Sequence, residues 1–134
     1  MIRILLVEDD PDHAELIRFA LEDAAPGSEI HWIDHGTRAI EHFDRCIAGD
    51  EQPPDLVFLD WKLPGHKGDE VLRHIRGAAA LNGLPVAVLT SSSHQGDRDL
   101  AVQLGANRYL IKSLAASALE STLRTTIDEL CGET

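Results

Sequence analysis

Short apolar runs, each followed by a polar residue, alternate along the chain with helical patterns, and this alternation most constrains what it can fold into. Ile4-Leu5-Leu6-Val7, Leu56-Val57-Phe58-Leu59 and Val86-Ala87-Val88-Leu89 read as strands buried on both faces, and Tyr109-Leu110-Ile111 as a shorter one. Ile30-His31-Trp32-Ile33 is more polar, as an edge strand is. Between the runs, Leu16, Ile17, Ala20, Leu21 and Ala24 recur at helical spacing, opened by Asp12-x-x-Glu15 as a capping box and closed by Pro26-Gly27. Ile40, Phe43 and Ile47 repeat the pattern after Gly36, Val71, Leu72 and Ile75 after Gly68, and Leu100 and Leu104 before Gly105. Leu119, Leu123, Ile127 and Leu130 form the last such stripe. Five strand–helix pairs with nothing left over predict an α/β chain with a doubly wound, five-stranded parallel sheet.

The 134 residues suffice for one compact domain, and Ala48 to Pro54 reads as a surface loop rather than a boundary, so residues 1–134 are expected to form a single domain without an output domain. A formal net charge of −11 with no basic run disfavours nucleic acid and anionic membrane surfaces as partners. Cys46 and Cys131 lie far apart with no CxxC and read as lacking a histidine at ligand spacing, so neither a disulfide framework nor a zinc site is expected and a reducing cytoplasm fits. The run Ile4 to Val7 is far too short to span a membrane.

In a doubly wound sheet, ligands bind beyond the carboxyl ends of the strands. Glu8-Asp9-Asp10 follow the first strand, Asp60 the third, Thr90 the fourth and Lys112 the fifth. Crowded carboxylates repel one another unless a cation neutralises them. Oxygen-only donors suit Mg²⁺, which keeps waters and a phosphate oxygen. A lysine supplies a mobile positive charge and a threonine hydroxyl a neutral hydrogen bond, both suited to a phosphoryl group. The set describes a site where an aspartate is the nucleophile and becomes an aspartyl phosphate. Taken singly the residues have blander readings: Asp10 before Pro11 as a helix cap, Asp60 as a turn acid, Lys112 as a solvated lysine. Their order at successive strand ends favours function.

The chain resembles the receiver domain of two-component response regulators over nearly its whole length. The stretches that carry the likeness are Ile4-Leu-Leu-Val-Glu-Asp-Asp10, Pro54-Asp-Leu-Val-Phe-Leu-Asp-Trp-Lys-Leu-Pro-Gly65 with Gly68 beyond, Val88-Leu-Thr-Ser91 and Leu104-Gly-Ala-Asn-Arg-Tyr-Leu-Ile-Lys112. The resemblance implies a flavodoxin-like receiver fold and a phosphoprotein of a phosphorelay rather than a turnover enzyme. Asp60 would accept phosphate from a histidine kinase. Asp9, Asp60 and the carbonyl of Lys62 would ligate Mg²⁺, with Glu8 acting through water. Thr90 and Lys112 would hold the phosphoryl oxygens, and Tyr109 would be the aromatic that swings inward on activation. Leu-Gly-Ala-Asn-Arg-Tyr-Leu and the Ala48–Pro54 loop look most like the small regulators paired with phytochrome-type kinases. That likeness implies a red-light signal, a homodimer through the fourth helix, fifth strand and fifth helix, and a downstream or phosphotransfer protein as partner.

One departure stands out: the family usually has a cis-proline after the lysine, and here Ser113 follows Lys112. A cis bond without proline is costly, so the loop either keeps a strained cis bond or goes trans and re-aims Lys112. His94 reads as a solvated loop histidine, and His31 and His35 lie off a common helix face. The competing reading is a small Mg²⁺-dependent phosphatase with an aspartyl nucleophile. Asp10-x-Asp12 loosely resembles the nucleophile motif of haloacid dehalogenases, but there the nucleophile comes early and the acidic pair late.

Overall fold

The computed structural model describes residues 1–132. The elements follow in the order β1 (Arg3–Val7), α1 (Pro11–Ala24), β2 (Glu29–Ile33), α2 (Gly36–Ile47), β3 (Leu56–Leu59), α3 (Gly68–Arg76), β4 (Val86–Thr90), α4 (Gln95–Gln103), β5 (Arg108–Ile111) and α5 (Ala116–Cys131), with a single 3₁₀ turn at Ala79–Leu81 that the sequence pattern did not reveal. All strand pairs are parallel, in the order β2-β1-β3-β4-β5. The chain thus winds outward from β1 in both directions, and β2 is an edge strand as its polarity predicted.

Alternation along each strand divides the core in two. Leu5, Val7, Val57, Leu59, Val86 and Val88 pack with residues of α2 and α3, among them Phe43, Val71, Leu72 and Ile75. Ile4, Leu6, Leu56, Phe58, Ala87 and Leu89 pack with Ile17 and Leu21 of α1 and Leu119, Leu123 and Ile127 of α5. Because β1, β3 and β4 are buried on both faces, whatever follows them is held at one rigid rim.

Three local expectations are corrected. The strand at Tyr109–Ile111 is not buried on both faces: β5 is the second edge strand, and Ile111 is exposed because no strand pairs beyond it among the described residues. α1 is capped by Asp10, whose Oδ1 accepts from the amides of Asp12 (2.9 Å) and His13 (3.3 Å), with Pro11 at the first helical position; Asp12 and Glu15 lie inside the helix and make no capping box at its start. In α2 the buried face is Gly36, Ala39, His42, Phe43 and Cys46, while Ile47 is exposed. The polar members of that face hid its period.

Candidate functional site at the strand ends

β1 ends at Val7, and the next residue, Glu8, is only 1% exposed. Its amide donates to the Ile33 carbonyl (3.0 Å), its carbonyl accepts from Trp32 Nε1 (2.7 Å) and its Oε2 accepts from the Asp10 amide (3.1 Å). Asp60 follows β3 with 6% exposure, and its amide donates to the Val7 carbonyl (3.0 Å). Lys112 follows β5 and is tied to β4 by a hydrogen bond from its amide to the Thr90 carbonyl (2.8 Å). Its amine reaches back across the sheet end to Glu8 Oε1 (2.5 Å), Asp60 Oδ2 (2.9 Å) and His13 Nδ1 (3.2 Å). Glu8, Asp60 and Lys112, distant in sequence, thus meet as expected.

Asp9 joins them. Glu8, Asp9 and Asp60 each offer a carboxylate oxygen, and these lie within 4.8 Å of one another. Burial pushes the Glu8 carboxyl up to about 7, the Asp60 charge adding to the effect while Lys112 and the Asp10 amide oppose it. Burial also works against the Lys112 charge, but its bonds to Glu8 and Asp60 prevail and the amine stays above its ordinary range. Three oxygen donors, two of them buried, fit a hard divalent cation.

The remaining predicted residues surround this cluster. The Lys62 amide donates to Asp60 Oδ1 (3.3 Å). Thr90 is fully buried, and its hydroxyl oxygen accepts from the Ser92 amide (3.3 Å). Tyr109 is buried at the sheet edge, where its hydroxyl donates to the Ser92 carbonyl (2.8 Å) and the Arg98 guanidinium carbon lies 4.9 Å from its ring centre. His94 is exposed at the start of α4. Among the described residues no peptide bond is cis, so the bond to Ser113 is trans, yet Lys112 keeps its contact with Asp60 and is not re-aimed away.

Several contributors leave no trace in the hydrophobic pattern. His13 touches Lys112 from α1, and Ser92 Oγ donates to Asp97 Oδ2 (2.6 Å), tying the Thr90 loop to α4. The β3–α3 loop is pressed onto its neighbours by glycines. The Gly36 amide donates to the Pro64 carbonyl (3.1 Å), and a Cβ on Gly36 would lie 1.6 Å from the His66 carbonyl oxygen. A Cβ on Gly68 would lie 2.6 Å from the Asp60 carbonyl oxygen. Hydrophobic periodicity cannot reveal such contacts, because they are made by polar side chains and bare backbone.

A second cluster lies on α2. His42 sits four residues before Cys46 on one helix face, which corrects the expectation that no histidine stands at ligand spacing from a cysteine, and Glu51 closes on both from the following loop. His42 Nδ1 is 2.9 Å from Glu51 Oε2, and Arg45 donates to Glu51 Oε1 (2.9 Å). Burial holds His42 below its ordinary range and the Cys46 thiol above its own. With Glu51 already neutralised by Arg45 and Cys46 kept as a thiol, this group serves as a clasp for the Ala48–Pro54 loop.

The fold and rim together define a doubly wound α/β protein with three carboxylates and a lysine amine gathered at the switch in strand order. The family of the response regulator receiver domain matches residues 4–124, and the chain belongs to it. Among curated relatives, the probable methanogenesis regulatory protein FilR2 of Methanothrix harundinacea is 38% identical over 120 residues, covering 90% of this chain and 77% of that one. The chain spans about half the length of the phosphate regulon regulator PhoB of Escherichia coli, to which it is 29% identical (50% of that protein). Among solved structures, the phosphorylated cyanobacterial phytochrome response regulator RcpA superposes with a TM-score of 0.87 at 29% identity, covering 97% of this chain and 94% of that one. The Mn²⁺-bound response regulator Rcp1 superposes with a TM-score of 0.85 at 30% identity, covering 100% and 96%. No small phosphatase figures among these relatives, and the phosphatase reading gains no support from them.

Proposed function

We propose that Asp60 accepts a phosphoryl group from a histidine kinase, with Mg²⁺ held by Asp9, Asp60 and the Lys62 carbonyl and by Glu8 through water. The observation that carries this reading is the meeting of Glu8, Asp9, Asp60 and Lys112 at the ends of three strands. A carboxylate oxygen of Asp60 attacks phosphorus, the phosphorus–nitrogen bond of the donor phosphohistidine breaks, and the imidazole leaves with that electron pair. Mg²⁺, when bound, supplies charge neutralisation for the transferring oxygens. The Lys112 amine and the Thr90 hydroxyl receive the remaining phosphoryl oxygens, and the Asp60 backbone stays fixed by its bond to Val7. The similarity to Mn²⁺-bound Rcp1 supports a divalent ion at such a rim, and the similarity to the phytochrome response regulator RcpA supports a phytochrome-type kinase as donor.

The output is a binding change rather than turnover chemistry. Thr90, Ser92 and Tyr109 are linked by hydrogen bonds, so a shift of Thr90 toward a phosphoryl group reaches Tyr109 and, through Arg98 and Asp97, α4. The exposed Val102, Ile111 and Leu114 on or beside α4, β5 and α5 support that face as the site of homodimer or target-protein contact.

The metal arm is tested by titrating the intact protein with MgCl₂ while following the fluorescence of Trp61, beside Asp60, and Trp32, bonded to Glu8. With the Glu8 carboxyl at about 7, protons compete with the cation. Apparent affinity should therefore fall about tenfold from pH 8 to pH 6, and the fall should vanish in Glu8→Gln. A flat wild-type profile would contradict it.

A further inference from the structure

We propose that His13 is a positioning residue for phosphoryl transfer, its Nδ1 accepting a hydrogen bond that holds the Lys112 amine beside Asp60. The inference rests on the reading of Asp60 as phosphoacceptor and adds a residue to it. Lys112 Nζ has three neighbours, Glu8 Oε1 at 2.5 Å, Asp60 Oδ2 at 2.9 Å and His13 Nδ1 at 3.2 Å. An ammonium has three protons and no lone pair. His13 Nδ1 is therefore the acceptor, and the imidazole is the neutral tautomer with its proton on Nε2. That nitrogen faces Asp10 Oδ2 at 3.8 Å, which favours the same tautomer.

The residue is fixed at its backbone. Asp10 caps α1 and accepts the His13 amide, so the histidine leaves the first turn of α1 at a fixed point. Lysine is a flexible point charge, and with only two carboxylates to choose between it would settle wholly between Glu8 and Asp60. A neutral third acceptor keeps the amine on the α1 side of the cluster, available to a phosphoryl oxygen once Asp60 no longer presents a free carboxylate. The turn after Lys112 offers little else to fix it: Leu114 is 71% exposed, and the local bond runs from the Ala115 amide to Ser113 Oγ.

The test uses the intact protein with Mg²⁺ and acetyl phosphate, comparing wild type, His13→Leu and His13→Asn. Leucine removes the acceptor, whereas the asparagine amide oxygen can stand near the place of Nδ1. His13→Leu should lower the maximal phosphorylation rate about three- to tenfold, the worth of one hydrogen bond, with the half-saturating Mg²⁺ concentration unchanged. His13→Asn should recover most of the rate. In nitrogen-15 spectra, Nδ1 of His13 should be unprotonated and its resonance should move in Lys112→Met. Leucine acting as fast as wild type, both variants equally slow, or a His13 resonance indifferent to Lys112 would each overturn the proposal. Wild type that takes up no phosphate would overturn the phosphoacceptor reading itself, a distinct result.

Discussion

Replacing Lys112 by methionine is expected to cost about 3 kcal/mol of stability at pH 8 without metal, because breaking a buried ion pair leaves uncompensated charge behind. Here one amine faces two carboxylates, and Glu8 and Asp60 are both almost fully buried. The loss should depend on pH in a defined direction. Glu8 is raised in the folded protein, from an ordinary 4.5 to about 7, so it favours folding below 4.5 and that contribution disappears as pH rises through about 7. Removing Lys112 removes an interaction that lowers the Glu8 value, so the raised range extends upward. The variant should therefore approach wild type near pH 5 and fall furthest behind by pH 8. Urea denaturation at the two pH values measures this, and adding MgCl₂ at pH 8 should rescue the variant more than wild type. An equal loss at both pH values would mean that Lys112 acts by packing alone.

The second large effect is expected at Gly36, where alanine would set a methyl group 1.6 Å from the His66 carbonyl oxygen. That oxygen belongs to the backbone of the β3–α3 loop, so the loop itself must retreat. Overpacking of this kind costs about 3 kcal/mol. Because the loop carries Lys62, whose amide bonds Asp60, Mg²⁺ affinity should fall with stability. Gly96→Ala serves as the contrast: its nearest neighbour would be 3.7 Å away, and in helix α4 alanine should stabilise by up to about 1 kcal/mol. Denaturation and Mg²⁺ titration of the two variants separate a clash from a general intolerance of alanine.

The strands and the acidic rim were legible because burial on both faces leaves uninterrupted apolar runs, and whatever ends such a run must stand at the sheet's edge. That logic located Glu8, Asp60 and Thr90, whereas Lys112 follows β5, an edge strand with Ile111 exposed, and was found by its place in the alternation alone. The logic fails where a buried face is built from small or polar residues. Ala39, His42 and Cys46 share the inner face of α2 with Phe43, yet hydropathy alone points to Ile40, Phe43 and Ile47; Phe43 is buried and Ile40 packs against the core, but Ile47 is exposed. The cap of α1 was ambiguous for a related reason, since Asp10 and Asp12 both precede suitable partners and only the Oδ1 contacts of Asp10 decide. His13 was invisible because its partner lies 99 residues away, and nothing in a helix's first turn announces a contact across the sheet. Ser113 raised a real question, and the answer is that a trans bond still delivers Lys112 to Asp60.

The central claim is that Asp60 is the phosphoacceptor. Wild type and Asp60→Asn should be incubated with acetyl phosphate and MgCl₂, weighed intact by mass spectrometry, and the modified peptide sequenced after borohydride reduction of the acyl phosphate. Wild type should gain the mass of one phosphoryl group, located at Asp60 and abolished by chelating the metal, while Asp60→Asn should gain none. Phosphate found on Asp10, or an equal gain in Asp60→Asn, would contradict the account.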